Sequence, residues 1–171
     1  MKALLVIDFQ DKFLKQRDFN ELKKKVYDLI DYFKAKSHEV IVVEHLNDFE
    51  NPEHNPLDTY VESQGDIFYA KLQPSVFKNS DLINYLKLKE IEEVFIAGLN
   101  MEYCILFNAI AAYEHGFKVT VVEDACSTVN NAETYEMPGL DIIDFVGSVL
   151  NWSNVVKVLT VDEVINENES I

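Results

Sequence analysis

Short β-branched, apolar runs alternate along this 171-residue chain with longer stretches of helical period, and that alternation calls for a parallel sheet joined by crossover helices. The runs are Ala3 to Ile7, Val40 to Val43, Glu93 to Ala97, Lys118 to Val122 and Val155 to Leu159. Each is nearly continuous in apolar residues, which suits strands covered on both faces. Asn20 to Lys36, Asp81 to Leu88, Met101 to His115 and Asp141 to Trp152 supply the covering helices. The expectation is a single domain over residues 1–171, a three-layer α/β/α sandwich with a central, mainly parallel sheet of five or six strands. The stretch from Leu46 to Ser80 has no long periodic segment and holds three of the four prolines, so it reads as an ordered loop passing over the sheet.

Composition narrows the partners. A hydrophobic fraction of 48% supports a sizeable core, while a formal net charge of −15 repels phosphate backbones and anionic membrane surfaces. Neither nucleic acid nor membrane is expected as a partner; a small-molecule substrate is. No apolar run approaches the length of a membrane span. The two cysteines, Cys104 and Cys126, lack a CxxC spacing and fit reduced thiols of a cytoplasmic protein.

In an open parallel sheet, ligands bind beyond the carboxyl ends of the strands. That edge gathers Asp8, His45, Gly98 with Asn100, and Asp124. A carboxylate closing an apolar strand, as Asp8 does, is costly to desolvate without a partner or a task. Cys104 sits where an apolar strand turns into an alanine-rich helix, so unpaired N–H groups and the helix dipole should favour its thiolate there. Lys71 stands alone among aromatic residues, and an ammonium nearby would both lower a thiol pKa and hold a carboxylate ionised. The competing readings are a buried structural cysteine, a loop-capping aspartate and a lysine whose stem covers apolar surface.

Three motifs taken in order resemble the isochorismatase-like cysteine hydrolases, which include nicotinamidases, N-carbamoylsarcosine amidase and ureidoacrylate amidohydrolase. Ala3-Leu-Leu-Val-Ile-Asp8-Phe-Gln10-Asp-Lys-Phe13 is similar to the opening strand motif. Lys71 to Phe77, with Ser75 and Phe77, is similar to the lysine motif, and Ile96-Ala-Gly98-Leu-Asn100-Met-Glu102-Tyr-Cys104 to the nucleophile segment. The resemblance implies a catalytic triad of Asp8, Lys71 and Cys104. It also implies an oxyanion hole from the backbone N–H groups of Asn100 and Cys104, beside a cis peptide at Leu99-Asn100. The implied activity is hydrolysis of a small amide, carbamoyl or ureido compound through a thioester, in a homodimer or homotetramer.

Phe13, His45, Asn47, Phe68 and Tyr103 are the candidates for lining the substrate pocket. Nicotinamidases place an Asp-x-His pair after the second strand, whereas this chain reads Glu44-His45-Leu-Asn47-Asp48 with His54 further on, so neither metal nor other cofactor is expected. Met101 stands where many relatives carry threonine. A thiol redox enzyme or a catalytically silent binding module on the same fold are the alternative readings.

Overall fold

The computed structural model describes residues 1–167. Its strands are β1 (Lys2–Ile7), β2 (Glu39–His45), β3 (Ile67–Lys71), β4 (Glu93–Leu99), β5 (Lys118–Ser127) and β6 (Val156–Leu159). They form one parallel sheet in the order β3-β2-β1-β4-β5-β6. The helices are α1 (Asp11–Leu14), α2 (Asn20–Ala35), α3 (Thr59–Gln64), α4 (Ser80–Leu88), α5 (Leu106–Glu114), α6 (Ile142–Trp152) and α7 (Val161–Glu167).

Alternation along β1 divides the core. Ala3, Leu5 and Ile7 face a layer containing Leu82 and Leu86 of α4, Ala109 and Ala112 of α5, and Val146 and Leu150 of α6. Leu4 and Val6 face the opposite layer, where Val26, Leu29, Ile30 and Phe33 of α2 meet Val61 of α3 and Val164 of α7. Each fully buried Leu, Ile or Phe contributes ~1.5–3 kcal/mol. Because β1 is sandwiched on both sides and hydrogen-bonded on both edges, its end is a rigid base for whatever follows it. The chain winds outward from β1 to β3, then resumes at β4 on the other side of β1. The switch point, where a crevice opens, therefore lies at the carboxyl ends of β1 and β4.

Three expectations require correction. The segment from Leu46 to Ser80 is more than a loop: it contains α3 and the sixth strand, β3, which pairs Ile41 to His45 with Ile67 to Lys71. As an edge strand it has one neighbour; its apolar run Ile67-Phe68-Tyr69-Ala70 is short, lies inside the proline-containing polar stretch and leaves Phe68 exposed. The helix expected from Met101 to His115 begins instead with a π-helical turn, Met101–Ile105, and becomes α-helical at Leu106. The fourth strand run continues past Val122 to Ser127, after the β4–β5 register shifts between Ile96 and Gly98.

Candidate active site

Three strand ends bring the charged residues and the thiol together. Asp8 follows β1 in a left-handed conformation (φ 52), its N–H donating to Val43 O at 2.8 Å. Lys71 closes β3 and lies in register with His45. Its four-carbon stem carries the ammonium across β2 toward β1. There Nζ donates to Asp8 Oδ2 at 2.8 Å and to Cys104 Sγ at 3.2 Å, and lies 3.2 Å from His45 Nδ1. Asp8 is 2% exposed and Lys71 4%, so this ion pair is screened from water. Asp8 Oδ1, also buried, has no hydrogen-bond partner.

Burial dominates the electrostatics. It pushes the Asp8 carboxyl above the usual carboxylate range, against the opposing pull of Lys71, Cys104 and His45. Burial, followed by the Asp8 charge, pushes the Cys104 thiol up to about 12, and Lys71 only partly offsets this. The expected neutral-pH thiolate is therefore corrected. The sulfur rests as a thiol beside a carboxylate of raised basicity, because desolvation and a like-charged neighbour outweigh one lysine. The His45 imidazole is lowered, first by burial and then by the Lys71 charge.

The nucleophile turn is pinned on every side. Leu99–Asn100 is a cis peptide. The N–H groups of Tyr103 and Ile105, flanking that of Cys104, both donate to Asn100 O at 3.1 Å. Asn100 Oδ1 accepts from Val129 N at 3.0 Å. Fully buried Asn108 accepts from Val76 N at 2.9 Å and donates to Cys104 O at 2.7 Å, tying the turn to the segment after Lys71. Glu102 Oε1 accepts from Thr128 Oγ1, Asn130 Nδ2 and Tyr135 OH, anchoring the loop beyond β5 to the same turn. Sequence reasoning assigned no role to Asn108 or Glu102. The signal for Asn108 was an amide one step from Ala109 and Ala112 on the apolar side of a helix.

Gln10, quoted in the opening motif, proves to be a clamp. Its Oε1 accepts from His45 N at 2.8 Å, and its Nε2 donates to His45 O at 3.3 Å and Asn55 O at 3.0 Å. The loop after β2 is thereby held against the end of β1.

The pocket candidates fall in different places. His45 stands within the cluster. Phe13, half-buried in α1, packs into the α2-side core. Asn47 is exposed and its side chain accepts from Glu53 N at 2.8 Å, shaping the loop rather than the cluster. Phe68 lies one residue out of phase with Lys71 and Tyr69, against Val42 and Gly65, so strand alternation directs it to the opposite sheet face from the lysine. Tyr103, 44% exposed, interacts with Tyr135 beside Cys104. A cleft of about 310 Å³ flanks the site, lined by Phe49, Lys71, Leu72, Gln73, Ser75 and Lys78 but not by Asp8 or Cys104.

His45, Asp48 and His54 do not form a ligand set: His45 turns to Lys71, and Asp48 Oδ1 accepts from Glu50 N. Among the described residues no group of three or more His, Cys, Asp or Glu side chains could hold a metal ion. Cys126 is buried, with its Sγ 3.7 Å from Ile96 O.

Residues 2–147 match the Isochorismatase domain. The isochorismatase family protein YddQ of Bacillus subtilis is 26% identical over 139 residues, 74% of this chain and 77% of that protein. The maleamate amidohydrolase of Pseudomonas putida is 27% identical over 111 residues, 63% of this chain and 52% of that enzyme. The structure of the nicotinamidase/pyrazinamidase PncA of Bacillus subtilis superposes with a TM-score of 0.75 at 20% identity, covering 92% of this chain and 98% of that one. With the domain match spanning most of its length and the sheet order and helical layers in place, the chain belongs to the isochorismatase family of hydrolases.

Proposed function

We propose that this hydrolase of C–N amide bonds cleaves a small amide, carbamoyl or ureido compound through a thioester on Cys104. The observation that carries this reading is the contact of one buried ammonium, Lys71 Nζ, with both Asp8 Oδ2 and Cys104 Sγ, while Asp8 Oδ1 is left unpartnered. A resting thiol next to a basic carboxylate suits proton transfer in step with attack. The Sγ–C bond forms as the thiol proton passes to Asp8, and the oxyanion develops toward the backbone N–H groups of Asn100 and Cys104. The C–N bond then breaks as Asp8 returns that proton to the departing nitrogen. In the second half Asp8 takes a proton from water, the hydroxyl adds to the thioester, the C–S bond breaks and the thiolate recovers its proton. The Lys71 ammonium, in contact with both Oδ2 and Sγ, holds the carboxylate and the sulfur side by side between these transfers.

Maleamate amidohydrolase among the relatives supports an acid amide as substrate class. The free thiols of Cys104 and Cys126 suit a reducing compartment such as the cytoplasm, and among the described residues no helix is long and apolar enough to cross a membrane. A homodimer or homotetramer belongs to the same reading.

The test is ammonia release from a panel of maleamate, nicotinamide and ureido compounds, with intact-mass detection of the acyl-enzyme. Cys104→Ala should abolish both signals, Asp8→Asn should lower kcat by about 10²–10⁴-fold, and Cys126→Ala should leave both intact. Turnover surviving in Cys104→Ala would refute the reading.

A further inference from the structure

An ammonium has three protons to donate, and Lys71 has three acceptors around it: Asp8 Oδ2, Cys104 Sγ and His45 Nδ1. Since Nζ only donates, His45 Nδ1 must offer its lone pair, which places the imidazole proton on Nε2. The contact is built into the sheet. His45 and Lys71 are register partners on β2 and β3, so their side chains leave the same face side by side. Gln10 holds the His45 backbone from both its N–H and its carbonyl. Neighbouring Glu44 alternates to the other face and meets the charge of Glu62 there.

We propose that His45 is a positioning residue and an acid-side switch: when neutral it accepts the third proton of Lys71 and fixes the ammonium on Asp8 and Cys104; when protonated it releases that hold. The charged groups facing the ring are Lys71 from β3, Asp8 from the end of β1 and Lys12 from α1. Two of these are cations, so a proton on the imidazole would meet Lys71 at hydrogen-bond distance with a donor where an acceptor stood. The lysine would then swing toward Asp8 alone and leave the sulfur. The lowered pKa of the half-buried ring keeps His45 neutral at neutral pH and puts the release on the acid side of the ordinary histidine range.

This assignment rests on the proposed triad but is tested without turnover. Selective ¹H–¹⁵N detection of the Lys71 ammonium in the full chain should give a slowly exchanging signal at neutral pH that disappears on acidification as His45 titrates. In His45→Asn, whose side-chain oxygen replaces Nδ1 and does not titrate, the signal should persist through the same pH range; in His45→Leu it should exchange rapidly at every pH. Alkylation of Cys104 by iodoacetamide, in a Cys126→Ala background, should change about tenfold in His45→Leu and return to the parent rate in His45→Asn, with melting temperatures within a few degrees. An ammonium signal and alkylation rate in His45→Leu equal to the parent, or equally altered in both variants, would overturn the role of His45. Loss of ammonia release would instead bear on the hydrolase reading, since neither probe here depends on it.

Discussion

At the scale of single residues, the chemistry of this site turns on where one proton rests. Cys104 is surrounded by influences of both signs, and the larger ones, burial and the Asp8 carboxylate, raise its pKa to about 12. Sign and direction then give a prediction. Below that value each pH unit multiplies the thiolate fraction by about ten, so iodoacetamide alkylation of Cys104 should rise about tenfold per unit from pH 7 to pH 10 without reaching a plateau. A rate that levels off near neutrality would mean that Lys71 has won. Cys126, more deeply buried and pushed up further by desolvation, should remain unlabelled until the protein unfolds. Asp8 is raised as well: because burial lifts its pKa, the base it supplies is lost at a higher pH on acidification than an exposed aspartate would be.

At the scale of elements, the parts of the sheet covered on both faces could be read from composition alone, and the parts at its edge could not. Leu4 to Ile7 and Val40 to Val43 declare themselves because every position is apolar. Ile67 to Ala70 is apolar too, but it lies inside a polar, proline-containing stretch, and as an edge strand it leaves Phe68 exposed on one face. The candidate site followed the same rule. Asp8, Lys71 and Cys104 stand out as polar interruptions of apolar segments, whereas the contact of His45 with Lys71 depends on a strand pairing that only β3 reveals. The π turn was hidden because Met101 to Ile105 has an ordinary helical composition. Its placement depends on Gly98, whose φ of 120 is open only to glycine and whose missing Cβ makes room for the carbonyl of Ile7 on β1. Gly98→Ala should therefore push β4 away from β1 directly beneath Asp8 and Cys104, costing about 3 kcal/mol or more and lowering Tm by roughly 10 °C. Calorimetry showing a change under 2 °C would remove the constraint assigned to that contact.

At the scale of the whole molecule, the distribution of charge and apolar surface bears on the proposed homo-oligomer. The chain has a formal charge of −15, yet the outer faces of α5 and α6 carry only Glu114 and Asp144. On these helices Phe107, Ile110, Tyr113, Phe145, Val149 and Trp152 are each at least 45% exposed, Trp152 reaching 80%. Half-exposed aromatic and aliphatic side chains of this size present on the order of 600 Å² together, at the upper limit of what monomers leave open and close to the ~800 Å² that each partner buries in a standard interface. Next to α5 runs a groove of about 400 Å³ lined by Phe77, Leu106, Phe107 and Ile110. The exposed side chains of α6 and the groove along α5 lie in the same helical layer, so a two-fold pairing would bring the α6 side chains of one copy and the α5 groove of the other to one interface. In the homodimer proposed above the contact would fall on that face, where two strongly acidic molecules meet with the fewest like charges opposed. Sedimentation at tens of micromolar should give twice the 19.7 kDa of the chain, and added salt should tighten the association by screening the remaining repulsion. The double variant Phe145→Glu, Trp152→Glu should sediment as a monomer with an unchanged melting temperature and unchanged alkylation of Cys104. A native chain that sediments as a monomer at both low and high salt would exclude the pairing.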